Sequence, residues 1–84
     1  MTSRQAKIMK LKAELKQTVM EFREAVKDFD DKFTEFQTGL IPEREVEFYA
    51  GYAYDLQDDA EMLKRKIKRL VRAELKAKNN FHTA

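Results

Sequence analysis

The groups from which this chain could build chemistry are fifteen carboxylates, three tyrosines and a single histidine, with no cysteine. Without cysteine there are no disulfides, no thiolate zinc sites and no cysteine nucleophile. His82 lies near the C-terminal end, where a frayed, solvated tail is expected, which is a poor place for a general base. Asp30-Asp31 and Asp58-Asp59 are sequence neighbours, and on a helix neighbours point about 100° apart and share no site. Asp55 and Asp59, four apart with Asp58 nearby, do share a face. A divalent ion there would still lack a histidine ligand or a loop to wrap it. The glutamate followed three residues later by histidine, used by carboxylate metal sites in four-helix bundles, is absent. So are a phosphate-cradling glycine loop and a nucleophile motif. The expectation is a protein that is not an enzyme and uses no cofactor, no metal and no small-molecule substrate.

Binding chemistry is better represented. Residues 1–16 and 62–84 hold thirteen of the seventeen lysines and arginines against two acids, Glu14 and Glu74. Residues 17–61 reverse this, with four bases against thirteen acids, so the formal net charge of +2 conceals a strong asymmetry. The densest basic stretch contains Lys64, Arg65, Lys68, Arg69 and Arg72, a candidate polyanion-binding surface that would release counterions from DNA or RNA. The same charges also suit self-assembly, because a basic end can pair with the acidic region of another copy. Lysine and arginine late in a helix further complement its dipole.

A second candidate surface is the run Phe48-Tyr49-Ala50-Gly51-Tyr52-Ala53-Tyr54. Phe48, Tyr52 and Tyr54 fall outside the apolar stripe described below, and exposed aromatics beside small residues are common interface anchors. Gly51 costs a helix about 1 kcal/mol relative to alanine, so it is expected where another backbone comes close. Phe48, Gly51, Tyr52 and Tyr54 are therefore the candidate protein-interface residues.

Both surfaces are positioned by an apolar repeat of seven. Ile8, Leu15, Phe22, Phe29 and Phe36 form one column, and Val19, Val26, Phe33 and Leu40 a second. Later in the chain Val46, Ala53, Ala60 and Ile67 alternate with Tyr49, Leu56, Leu63 and Leu70. Spacings of three and four place each set on one helical stripe. Folding the chain at Ile41 brings the stripes together in mirror-image register. Phe22 then faces Ala60, Phe29 faces Ala53, Phe36 faces Val46, Val26 faces Leu56, Phe33 faces Tyr49 and Leu15 faces Ile67. Several layers set a large ring against a smaller side chain, which fills a seam without voids. Lys12 and Glu74 fall in the same stripes near the open end, where they are expected to form a register-fixing polar pair.

The fold expected is a single all-α domain, a long antiparallel two-helix hairpin of coiled-coil type. Helix one covers about 3–38, the turn 39–41, helix two about 42–78 and a frayed tail 79–84. Thr2 and Gln5 suit a capping box. Gly39 suits a left-handed helix stop, Pro42 a helix start, and Glu43 and Glu45 its dipole. Two helices bury little core for their length, and Leu11, Thr18, Ala25, Ala50, Val71 and Tyr52 flank the seam. A homodimer closing a four-helix bundle is thus expected. No apolar stretch approaches the roughly 20 residues that span a bilayer, and no apolar block follows the N-terminal lysines. A cytoplasmic location without membrane partners is the default expectation.

The architecture resembles that of small dimeric helical hairpins such as the Rop-type plasmid RNA-binding proteins, a likeness of fold that no motif carries. The tryptophan-any-glycine turn of small secreted helical hairpins is absent, since the turn reads Phe36-Gln37-Thr38-Gly39. The function expected is a non-catalytic protein-interaction module, an adaptor, assembly factor or inhibitor of phage or plasmid type. The alternative is nucleic-acid binding by the basic open end.

Overall fold

The computed structural model describes the backbone of residues 2–83 and the side chains of residues 2–79. Two helices, α1 (Ser3–Gln37) and α2 (Glu43–Thr83), pack against each other along their length as an antiparallel hairpin. The molecule is a rod of 68 × 16 × 13 Å. At 1.5 Å per residue, the 41 residues of α2 account for about 60 Å of that length.

The helix ends follow from local chemistry. Thr2 caps α1 through a reciprocal pair of hydrogen bonds. The Gln5 N–H donates to Thr2 Oγ1 at 3.0 Å, and the Thr2 N–H donates to Gln5 Oε1 at 3.0 Å. Two of the orphan donors at the N-terminus are satisfied this way. At the other end Gly39 adopts φ +81°, and the Leu40 N–H donates to the Glu35 carbonyl while the Gly39 N–H donates to that of Phe36. This is a Schellman stop, and its left-handed residue is best a glycine. Pro42 stands one residue before α2, its carbonyl accepting from the Glu45 N–H at 3.1 Å, and Glu43 and Glu45 fill the first turn. α2 continues to Thr83 instead of fraying from Asn79, because no glycine or proline follows Gly51 to end it.

The core is thin. Ala25, Val46, Leu56 and Ala60 are the only buried apolar residues among those described, and no large side chain is fully enclosed. On α2 the expected stripe is buried or half-buried, from Val46 through Leu56 and Ala60 to Ile67 and Leu70, and flanking Ala50, Val71 and Ala73 are half-buried beside it. On α1 the expected stripe is largely kept, with Ile8, Leu15, Val19, Phe22, Val26 and Phe29 half-buried, but the contact extends to its flank and fails near the turn. Ala25, placed on the flank by the heptad pattern, is the most buried residue of the chain at 2% exposure. Leu11, Thr18 and Lys32, in the same column, are half-buried, whereas Phe33 and Leu40 face outward.

Two local arrangements account for this turn of α1. Phe29, Phe33 and Phe36 associate along their own helix, with successive ring centroids 6.0 and 6.4 Å apart. Lys32 takes the place expected of Phe33, its Nζ 5.6 Å from the centre of the Tyr49 ring and 3.3 Å from Glu35. A cation over a tyrosine face is attractive. The expected Lys12–Glu74 pair is also replaced. Glu74 accepts from Arg4 at 3.1 Å and from Gln5 at 3.4 Å, and Arg4 reaches the Ala73 carbonyl at 3.4 Å. Arg4 serves both acceptors from one guanidinium nitrogen, Nη1, which carries two N–H donors.

Leu56→Ala should destabilise the hairpin by about 2–3 kcal/mol, the low end of the range for core leucines, since the site is open enough to relax. Gly39→Ala should cost about 1–2 kcal/mol because φ is positive there. Urea unfolding followed by circular dichroism measures both.

Candidate functional site

The two candidate surfaces lie at opposite ends of the rod. The turn end carries the acidic middle of the sequence and most of the exposed aromatics; the open end carries the basic termini. The basic cluster is assembled from both helices because the antiparallel fold places the start of α1 beside the end of α2.

The aromatic candidates separate onto two faces. Phe48 and Tyr52 are one helical turn apart and share a side of α2, 71% and 51% exposed. Tyr54, 67% exposed, stands on the other side at the mouth of a groove between the helices. The groove, a cavity of roughly 260 Å³, is lined by Phe22, Val26, Phe29, Ala50, Ala53 and Tyr54. Asp30 and Gln57 are its polar rim. Phe48 also packs edge-on against Tyr49, with centroids 5.5 Å apart. The sequence pattern grouped the three off-stripe aromatics as one surface, but a two-residue step on a helix turns about 200°, so Tyr52 and Tyr54 diverge.

Heptad reasoning missed the groove itself, since it assigned Phe22, Val26 and Phe29 to a filled seam. The signal that could have found it is the pair of small residues, Ala50 and Ala53, opposite those larger ones. A second depression, on the Tyr52 side, is more polar, with Glu14, Gln17 and Asp59 around Met62 and Leu63. Gly51 is exposed, and a Cβ there would meet nothing within 4 Å, so no part of this chain requires glycine at that position.

The electrostatics of the two ends contrast. At the turn end, the hydrogen bond and charge of Glu35, followed by Tyr49 and Glu45, hold the Lys32 ammonium above its ordinary value of 10.5. A lysine raised in the folded state adds stability that is complete below its unfolded pKa and disappears as pH climbs through the folded value, here an alkaline window. At the open end, Arg4 pairs with Glu74 and Lys64 with Glu61, 3.6 Å away along its own helix. Among the described residues, the remaining eleven basic side chains of that end make no ion pair. Lys64 itself is more than half exposed, and such a pair adds little. Lys64, Arg65, Lys68, Arg69 and Arg72 are all exposed on α2, and at about 100° per residue they share one broad side of the helix, with Lys64, Lys68 and Arg72 in a single row.

Asp55, Asp58 and Asp59 are exposed, and no group of three acids or histidines among the described residues comes together to hold a metal ion. His82 lies outside the described side chains. No described helix is long and apolar enough to cross a membrane. Comparison with protein-family models, curated proteins and solved structures finds no match to this chain.

Because no atom among the described residues lies within 4 Å of a Cβ at Gly51, Gly51→Ala should stabilise the helix by about 1 kcal/mol. A rise in melting temperature with unchanged molecular mass is the expected result.

Proposed function

We propose that this chain is a non-catalytic protein-interaction module, an adaptor, assembly factor or inhibitor that works as a helical hairpin. The observation that carries this is its unspent surface. A compact monomer of 10.0 kDa exposes about 5,200 Å² by the usual scaling, whereas this chain exposes 6889 Å². Ten large apolar residues are among the exposed ones, half of them aromatics in the turn half of the rod. Phe48 and Tyr52 provide two adjacent rings on an acidic section of α2, flanked by Glu45, Glu47 and Asp55. That combination suits a protein segment with an apolar centre and basic flanks, in which the rings give contact area and the carboxylates set orientation.

Phe48→Ala combined with Tyr52→Ala should abolish partner capture from host lysate while helix content stays unchanged. Full capture by the double variant would sink the proposal. Nuclease treatment of half the lysate separates protein partners from those held through nucleic acid.

A second reading, nucleic-acid binding by the open end, is favoured by its eleven basic side chains without ion pairs. It predicts binding to DNA or RNA that weakens steeply with salt. Reversing Lys64, Arg65, Lys68, Arg69 and Arg72 to glutamate should eliminate that binding. Absence of any binding at low salt in a gel-shift titration would remove this reading.

A further inference from the structure

We propose that a second copy of this chain covers the groove face, antiparallel to the first, so that the acidic turn end of each rod lies along the basic open end of the other. This deepens the interaction-module reading by naming one partner, and it stands or falls on the purified chain alone.

Three observations select this occupant. The first is the character of the face. The groove beside Val26, Phe29 and Ala50 has one charged residue on its rim, Asp30, whereas the depression on the opposite side holds Glu14 and Asp59. Exposed Phe33 and Leu40 extend the apolar surface of α1 toward the turn, and exposed Leu75 offers apolar area near the open end. Burying charged groups without partners is costly, so the groove side is the face to close.

The second is area. A face 68 Å long and 16 Å wide offers on the order of 1,000 Å² per copy, above the ~800 Å² per partner of a standard stable interface.

The third is charge, which sets the orientation. The open end carries thirteen bases and two acids; the section around the turn carries four bases and thirteen acids. A parallel pair would align the two basic ends and the two acidic ends, and like charges in register repel. An antiparallel pair with its two-fold axis near mid-rod, around Phe22 and Ala60, opposes unlike charge at both ends. The basic side chains of the open end that make no ion pair among the described residues then find carboxylates on the other copy.

The test begins with the mass of the purified chain by light scattering. The expected value at micromolar concentration is twice 10.0 kDa, falling toward one copy as salt rises. Ala50→Glu with Tyr54→Glu should give monomers, and Tyr52→Glu on the opposite side should leave the dimer intact. If the groove variant also loses helix, the melting temperature of the unaltered chain decides. It should rise with protein concentration when folding and pairing are linked, and a concentration-independent value overturns the proposal. Orientation is read with a spin label on Leu40→Cys, a site that is 75% exposed in a chain with no other cysteine. With the axis near Phe22, the two labels should stand about 54 Å apart, twice the 18-residue rise from Phe22 to Leu40. A separation near the roughly 10 Å of adjacent helices would indicate a parallel pair and overturn it. A monomer throughout, or a dimer lost with Tyr52→Glu but kept with the groove variant, also overturns it. A monomer that still captures a foreign protein refutes the dimer while leaving the interaction-module reading in place.

Discussion

Where two helices pack only as a pair, each turn has one neighbour and most of its circumference faces water. That constraint shapes everything else in this protein. With four buried apolar residues among those described, the hairpin has little hydrophobic contribution to set against the entropy of ordering two long helices. Local devices therefore matter more than in a globular domain: the capping box at Thr2 and Gln5, the glycine stop at Gly39 and the acidic first turn of α2. They define where each helix begins or ends, and the long-range contact of Arg4 and Gln5 with Glu74 ties the ends together.

The same constraint puts most side chains at the surface. In a rod 16 × 13 Å in section, the charge pattern and the apolar faces are displayed on the outside. The sequence alternates basic, acidic and basic segments, and the hairpin folds them into two poles. Apolar side chains that a larger domain would bury stay on the faces, with Phe22, Val26 and Phe29 forming one wall of a groove. Poles and groove together suit association with another elongated surface.

The architecture was legible in the residues because helical periodicity is a local property repeated many times over. The stripes on both sides of Ile41, the cap at Thr2, the stop at Gly39 and the dipole-complementing Glu43 and Glu45 each depend on neighbours within a few positions. The candidate site was only partly legible. Phe48, Tyr52 and Tyr54 stand outside the seam as their spacing implies, yet the shared surface inferred for them divides between two faces. The groove was invisible to a pattern that labels residues simply as apolar, because whether facing side chains fill a seam depends on the angle at which each helix presents them.

By itself, then, the sequence determined two long helices, their antiparallel pairing about Ile41 and the separation of charge along the rod. These follow from spacing, capping and the order of charged segments. Only the tertiary structure decided how α1 is turned about its own axis. The association of Phe29, Phe33 and Phe36 along one helix and the seating of Lys32 over Tyr49 accompany a buried Ala25 and an exposed Phe33 and Leu40. A heptad names a stripe wide enough to accept either rotation. The choice between them depends on side-chain contacts between residues far apart in the chain, which no local pattern encodes.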